Sequence, residues 1–294
     1  YCVQYRETDF DFISRLMEEE GIFYYWRHAE DKHELVLADK SGTHKTVAGF
    51  EEIPYSEGHK DLVGVRAIAH WQMRREIQTG KVTLSDYNFE TPGTRLKTTT
   101  VASSRTHVQK AHEVYDYPGL YDVKADGDAR AQIRLEEASA RFARFAGQGD
   151  TPGLAAGSRF TLARHQRADQ NAEYLVLRTQ IEMTLAGYTT SNQHDTEFSC
   201  RFWAQPYDQA FRPERITRKP TVAGPQTALV VGEGAAGDIT TDKYGRIKVQ
   251  FHWDRLGSKN AESSCWLRVA TSWAGKGWGM ISLPRLGQEV VVAF

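Results

Sequence analysis

The sequence predicts a mainly β protein with some α structure: an antiparallel barrel or sandwich with attached helices, followed by a small barrel. Residues 62–203 consist mostly of short apolar runs rich in β-branched and aromatic side chains, a composition typical of strands. In residues 245–254 apolar and polar side chains alternate, and this two-residue period places them on opposite faces of one strand. The chain has 294 residues, more than one hydrophobic core usually serves, so two or more packed units are expected.

The first predicted element is a helix that begins at residues 8–11, where Thr and Asp have the spacing of a capping box. Apolar residues then form one helical stripe, and Gly21 offers a left-handed end to the helix. The three glutamates at 18–20 are interpreted as a solvated turn, because acids oppose the dipole at a helix C-terminus. The β-rich runs at 22–26 and 35–37 predict a hairpin packed on this helix.

The middle of the chain is predicted to contain one helix among strands. The candidate strands are residues 63–73, 82–89, 160–164, 174–188 and 197–203. An Ala- and Arg-rich segment at 126–145 predicts the helix, and Gly-Gln-Gly at 147–149 is interpreted as its breaker.

A proline-rich segment divides the chain. Residues 206–225 hold four of the nine prolines and no apolar periodicity, which predicts an extended connector. The predicted organisation is a small α/β part at 1–60, a barrel with one long helix at 61–205, the connector at 206–225, and a small barrel at 226–294. Further strands of the small barrel are predicted at 228–231, 265–270, 280–283 and 290–294. The chain opens on Tyr and closes on an apolar run, so a piece of a longer protein, with an incomplete final barrel, is expected.

Charge and cysteine content narrow the functional classes. The formal net charge is -1, which argues against a chain-wide electrostatic hold on nucleic acid or anionic lipid. The three cysteines are too few and too scattered for a disulfide framework and are interpreted as reduced core residues. No apolar run is long enough to span a membrane, and no signal peptide is visible.

The sequence contains partial matches to catalytic and nucleotide-binding motifs, but the neighbouring residues do not complete them. Residues 232–237 spell GxGxxG, but Asp-Ile-Thr-Thr follows, so no helix N-terminus is expected to hold a pyrophosphate. The Gly-Lys pair in 274–279 lacks the Ser or Thr of a phosphate loop, and neither HExxH nor GxSxG occurs. The ten histidines are scattered, with His28 and His33 across a polar turn, and are interpreted as surface residues. We therefore expect no enzyme, no catalytic residue, no cofactor and no metal.

Aromatic residues concentrate near the C-terminus. Four of the seven tryptophans, at 253, 266, 273 and 278, lie in the last 42 residues beside basic side chains. In a small barrel this pattern fits either a single-stranded nucleic-acid surface or a core and subunit contact. Residues 226–294 carry eight basic and six acidic side chains, a weak balance for binding a phosphate backbone. The candidate subunit-contact residues are Phe251, Trp253, Trp273 and Trp278.

Six blocks of sequence resemble the VgrG spike proteins of bacterial type VI secretion, which are related to the phage baseplate hub and tail spike. The blocks are QYRETDFDF (4–12), LMEEEGI (16–22), DKYGRIKVQFHWDR (242–255), SCWLRV (264–269), WAGKGWG (273–279) and PRLGQEVVV (284–292). The resemblance implies a phage-hub-like β-barrel region with attached helices over 1–205 and a small OB-type barrel over 226–294. It also implies that the start of the hub, the last strand of the small barrel and a trimeric β-prism needle lie outside this chain.

The resemblance further implies a structural role. In the family a homotrimer caps the tube of hexameric Hcp rings, carries a PAAR-repeat tip through the needle, and delivers effector or adaptor proteins across a target-cell envelope. It is assembled in the bacterial cytoplasm and then secreted or injected without a signal peptide. No nucleic acid and no stable membrane span are expected. The alternative from the residues alone is a single-stranded nucleic-acid-binding OB-fold protein.

Overall fold

A computed structural model of the chain describes residues 2–57, 66–102, 111–184 and 197–294. The chain forms two compact units, one made of Tyr1–Phe12 with Arg218–Phe294 and the other of Ile13–Thr217. The division falls inside the predicted connector at 206–225, and the predicted boundary at residue 60 lies outside the described residues. The domain boundaries drawn from the sequence therefore stay predictions.

The described secondary structure is mostly β. The helices are α1 (Asp9–Glu20) and α2 (Lys124–Ala140), with 3-10 turns at Ser41–Thr43 and Ala168–Gln170. The strands are β1 (Phe23–His28), β2 (His33–Ala38), β3 (Lys45–Thr46), β4 (Glu52–Pro54), β5 (Ile68–Arg75), β6 (Lys81–Leu84), β7 (Thr98–Val101), β8 (Glu113–Asp116), β9 (Ala143–Gly149), β10 (Ser158–Ala163), β11 (Glu173–Thr184), β12 (Glu197–Pro206), β13 (Gln226–Val231), β14 (Lys248–Phe251), β15 (Ala274–Gly275), β16 (Trp278–Gly279) and β17 (Glu289–Val292).

Helix α1 has the ends that the sequence predicts. The Asp11 N–H donates to Thr8 Oγ1 at 3.1 Å, and the Thr8 hydroxyl donates to the Asp11 carboxylate at 2.8 Å, so both capping residues are engaged. At the other end Gly21 has φ +70° and the Ile22 N–H donates to Met17 O at 2.8 Å, which closes the helix with a left-handed glycine.

The interpretation of the three glutamates as a solvated turn is wrong, because they form the last residues of α1. Glu18 accepts hydrogen bonds from the Thr217 N–H at 3.0 Å and the Thr217 hydroxyl at 2.8 Å. Glu19 lies 2.6 Å from the Arg130 guanidinium, and both side chains are largely buried. These partners offset the unfavourable position of acids at a helix C-terminus.

The larger unit is built around a closed barrel. Within the described residues seven strands form one sheet in the order β3-β10-β11-β12-β9-β5, with β4 also paired to β10. Strands β3 and β4 pair with β10 in parallel, and the remaining neighbours are antiparallel. The two edges meet where Tyr55, directly after β4, forms a parallel bridge with Ile68 of β5 and the Ser56 N–H donates to Ile68 O at 3.0 Å. Closure leaves fewer strand edges exposed.

Alternate residues of the barrel strands point inward and form its core. In β9 the buried positions are Ala143, Phe145, Gly147 and Gly149, a two-residue period. A Cβ at Gly147 would lie 2.2 Å from Cζ of Phe202 on the neighbouring β12. Glycine at 147 is therefore what allows the Phe202 ring to lie across the strand.

This arrangement corrects the predicted helix at 126–145. Helix α2 ends at Ala140, and residues 143–149 form strand β9. The Gly-Gln-Gly segment belongs to this strand and does not break the helix. The sequence pattern failed because an Ala-rich helix passes directly into a strand whose inward positions are small or aromatic.

A second sheet and the connector pack on α2. Strands β7, β6 and β8 form a three-stranded sheet, and its core includes Val82 and Leu84 with Leu135 from α2. In the predicted connector, Arg212 contacts Glu136 of α2 at 2.7 Å and Arg215 contacts Glu137 at 3.1 Å. The extended segment is thus held on the larger unit as far as residue 217.

The smaller unit has a three-stranded sheet in the order β14-β13-β17 and a short hairpin, β15-β16. The predicted strand at 265–270 is reduced to a bridge between Ile247 and Leu267, and 280–283 contains no strand. Strand β14 is shorter than the alternation at 245–254 suggests, because Asp254 closes a turn by accepting from the Leu256 and Gly257 N–H groups at 3.1 and 2.9 Å.

The prediction that the cysteines lie in the core has an outcome in the described residues. Cys200 is a buried barrel residue, but Cys2 and Cys265 are exposed, so the predicted core role is correct for Cys200 and wrong for the other two. No helix among the described residues is both long and apolar enough to cross a bilayer.

Candidate subunit-contact surface

The predicted contact residues form two separate aromatic pairs on the smaller unit. The first is Phe251 with Trp253, whose rings stack at 5.0 Å between centroids with an interplanar angle of 10°. Strand β14 ends at Phe251, so Trp253 lies in the turn that follows and its side chain is 41% exposed. An exposed aromatic ring at a strand end is available to another chain.

A hydrogen-bonded glutamine fixes the first pair. The Trp253 indole N–H donates to Gln226 Oε1 at 2.8 Å, and Gln226 Nε2 donates to the Tyr5 hydroxyl at 3.2 Å. The ring centroids of Tyr5 and Trp253 are 6.0 Å apart, and Phe294 stacks on Phe251 with centroids 5.6 Å apart. We call these four rings, Tyr5, Trp253, Phe251 and Phe294, the aromatic row.

The second pair lies on the β15-β16 hairpin. Trp273 and Trp278 meet edge to face at 5.5 Å and 81°, and they are 67% and 57% exposed. Met280 and Ile281, which follow directly, are also exposed. A cluster of large exposed apolar side chains on a short hairpin is typical of an interaction surface.

Some members of these surfaces were missed by the sequence analysis. Tyr5 is 221 positions from Gln226, so no local pattern could connect them. Phe294 lies inside the predicted final strand but was not recognised as a partner of Phe251. Met280 and Ile281 lie in the predicted strand at 280–283. Their closeness in sequence to two tryptophans is a signal of an exposed apolar patch.

Several basic residues of the smaller unit make contacts within the chain. Arg246 forms an ion pair with Asp242 at 2.6 Å, and Lys248 lies over the Trp266 ring at 4.8 Å. Arg285 donates to Gly237 O at 2.9 Å. Burial alone would raise the pKa of Asp242, but hydrogen bonds from the Arg246 N–H and guanidinium lower it. Cations engaged in this way are poorly placed to bind phosphates, which weakens the nucleic-acid interpretation.

The GxGxxG segment at 232–237 forms a turn, and no helix follows it. Asp238 Oδ2 accepts from the Ala235 N–H at 2.8 Å, and the Gly237 N–H donates to Leu286 O at 3.0 Å. A carboxylate therefore occupies the position in which a nucleotide-binding loop would receive an anion. The glycine pattern thus lies in a turn that Asp238 closes.

Comparison with known proteins identifies the family. The model of the phage tail baseplate hub (GPD) family matches residues 1–186, and that of the type VI secretion system/phage-baseplate injector OB domain matches residues 235–294. The chain belongs to the phage tail baseplate hub family, and identities of 44–45% to curated VgrG spike proteins along the whole chain place it among them. The resemblance stated from the sequence blocks is confirmed, as is the fold class of a hub-like β region followed by an OB-type domain.

The curated relatives are longer spike proteins. The type VI secretion system spike protein VgrG1c of Pseudomonas aeruginosa is 45% identical over 302 residues, covering 100% of this chain and 40% of the relative. VgrG1a of the same organism is 44% identical, covering 100% and 46%. The actin cross-linking toxin VgrG1 of Vibrio cholerae is 35% identical, covering 100% and 27%. This VgrG chain thus spans less than half the length of these relatives.

Solved structures share the fold at low identity. The c3393 protein of Escherichia coli, described as a type VI secretion component similar to the T4 tail proteins gp27 and gp5, has a TM-score of 0.59 at 17% identity, covering 99% of this chain and 58% of that one. The Francisella PdpA-VgrG complex in its lidded form has a TM-score of 0.57 at 8% identity, covering 98% and 46%. Both support the hub architecture.

Proposed function

We propose that this chain is a structural part of a type VI secretion puncturing spike, in which three copies assemble, cap the Hcp tube and help deliver effectors across a target-cell envelope. Family membership supports the spike role, and the exposed aromatic surfaces of the smaller unit support assembly. A PAAR-repeat tip would attach through a needle segment.

The observation that carries the assembly proposal is the fixed geometry of exposed aromatics. Trp253 is held by Gln226, and Trp273 and Trp278 hold each other edge to face. Rings that are ordered before binding lose little conformational entropy when a partner covers them. A heterologous contact repeated three times closes a ring, as a homotrimer requires.

The barrel of the larger unit supports the proposal that the protein docks on the Hcp tube. Two similar barrels per chain in three chains would give a six-fold-like ring that matches a hexameric tube, and the closed barrel of the larger unit would supply one of the two. Two similar proteins support effector delivery. One Vibrio cholerae relative is an actin cross-linking toxin, and the Francisella structure is a PdpA-VgrG complex.

The proposed role is mechanical and requires no catalytic centre. The sequence holds no HExxH or GxSxG motif, and the glycine-rich turn at 232–237 contains a carboxylate where an anion would bind. The spike would assemble in the cytoplasm and leave the cell by injection. We expect the protein not to hydrolyse peptidoglycan or phosphate esters.

Light scattering after size-exclusion chromatography tests assembly. We expect a trimer, alone or when co-expressed with the Hcp ring protein, and we expect Trp253→Ala and Trp278→Ala to shift the protein toward monomer. Leu256→Ser is the matched control, because Leu256 is an 89% exposed apolar residue of the same unit outside both pairs. A monomer at all concentrations, with and without Hcp, would refute the proposal. Tight binding of single-stranded oligonucleotides at low salt would favour the alternative.

A further inference from the structure

The β1-β2 hairpin ends in a pair of histidines. His28 and His33 are cross-strand partners in the antiparallel register. The Ala29 N–H donates to Lys32 O at 2.9 Å, so residues 29 and 32 are a hydrogen-bonded pair. Because such pairs alternate with non-hydrogen-bonded ones, His28 and His33 occupy the type of position where opposed side chains approach most closely.

The two imidazoles are already in contact. Their Nδ1 atoms are 2.8 Å apart, and their ring centroids are 4.9 Å apart at an interplanar angle of 70°. Both side chains are exposed. At this distance the protonated Nδ1 of one ring donates a hydrogen bond to the unprotonated Nδ1 of the other. When the donor ring carries its proton on Nε2 instead, the lone pairs of both Nδ1 atoms face the same space.

We propose that His28 and His33 form a two-histidine site for a divalent first-row transition-metal ion, with Cu²⁺ bound most tightly. Metal–imidazole bonds of about 2.0–2.1 Å place two cis nitrogens about 2.9 Å apart at 90° and about 3.4 Å apart at the tetrahedral angle. The two Nδ1 atoms, 2.8 Å apart in a direct hydrogen bond, are thus within about 0.1–0.6 Å of the separations that a shared ion requires.

Water completes the coordination. In the described part of the chain no group of three or more metal-ligating side chains occurs, so the ion is held by two imidazoles at the hairpin surface. Imidazole binds first-row ions in the order that peaks at copper. Binding weakens in acid, because imidazolium has no free lone pair.

The bound ion would tie the strands together beside an exposed apolar face. His28 and His33 share a face with the opposed pairs Tyr24–Leu37 and Trp26–Leu35, and these four apolar residues are 41–58% exposed. Trp26 is the next residue along that face from His28, two positions away. A paramagnetic ion at the site therefore quenches Trp26 fluorescence.

Calorimetric titration of the 294-residue chain with CuCl2, NiCl2 and MgCl2 in a non-chelating buffer tests the site. We expect one Cu²⁺ or Ni²⁺ to bind in a histidine-dependent way, with no binding of Mg²⁺. His28→Gln and His33→Gln should each weaken that binding at least tenfold. His70→Gln, which removes another exposed strand histidine, is the matched control and should leave affinity unchanged.

Fluorescence gives a second measurement that does not depend on stoichiometry. Cu²⁺ should quench the part of the tryptophan fluorescence that comes from Trp26. This part is absent in Trp26→Phe, and in His28→Gln it should remain unquenched. Equal affinity of the wild type and both His→Gln variants would overturn the proposal. So would Cu²⁺ quenching that is as large in Trp26→Phe as in the wild type.

Discussion

Replacing Gly147 by alanine tests the packing of the barrel interior. The new Cβ would lie 2.2 Å from Phe202 Cζ and 2.7 Å from both Cε atoms. Ordinary van der Waals contact begins at 3.4 Å, so the ring must withdraw by more than about 1 Å. Phe202 has no exposed surface and meets Phe160 edge to face at 5.5 Å, so moving its ring disturbs packed core contacts. Gly147 does not have a positive φ, and the backbone itself accepts alanine.

The expected cost follows from these contacts. Overpacking a well-packed core costs about 1–3 kcal/mol, and replacing glycine by alanine returns about 0.4–1 kcal/mol by restricting the unfolded chain. Gly147→Ala should therefore lower the free energy of unfolding by about 1–2 kcal/mol. For a unit of this size that corresponds to a fall in Tm of about 2–8 °C.

Thermal and urea unfolding, followed by near-UV circular dichroism, provide the assay. Gly42→Ala is the matched control, because a Cβ there meets nothing within 4 Å; it should be neutral or slightly stabilising. Adding Phe202→Leu to Gly147→Ala should cost less than the sum of the single changes, since leucine lacks the atoms that clash. Wild-type stability of Gly147→Ala, or strict additivity in the double variant, would refute the reasoning.

Two further predictions concern the aromatic row and the barrel core. Gln226→Met keeps a side chain of similar length but removes the hydrogen bonds to Trp253 and Tyr5; it should cost about 1 kcal/mol in urea unfolding and shift tryptophan emission to longer wavelength, and unchanged emission would contradict it. Burial raises the pKa of Tyr174 to about 12, above its unfolded value of 10.0. Its stabilising contribution is complete below pH 10 and is lost as pH rises from 10 to 12, a loss of about 2–3 kcal/mol. Tyr174→Phe should lose less stability over that range, and an equal loss would disprove the assignment.

The sequence predicted elements well wherever the deciding forces were local. Capping at Thr8 and the glycine at 21 marked the ends of α1 to within a residue, because caps depend on adjacent backbone groups. The boundary between α2 and β9 failed because the residues after Ala140 become a strand through pairing with β5 and β12, which lie far away in the sequence.

Contacts between residues far apart in the sequence also limited the prediction of the candidate subunit-contact surface. Alternation in 245–254 predicts Phe251 and Trp253 on one face of a strand; Trp253 lies instead in the turn after β14, where its ring stacks on Phe251. The residues that fix them, Tyr5 and Gln226, come from other parts of the chain. The two histidines of the hairpin were separated by a polar turn in the sequence, and only the strand register brings their side chains into contact.

The exposed aromatics are better explained by assembly than by the needs of a single chain. Trp273 and Trp278 contribute little to the core of the smaller unit, which is formed by Ala228, Val230 and Val249 with their neighbours. Large apolar side chains left in water favour association through the hydrophobic effect. Their removal should therefore weaken assembly far more than it weakens folding. If Trp278→Ala lowered Tm and left the oligomeric state unchanged, the hairpin would have to be assigned to folding.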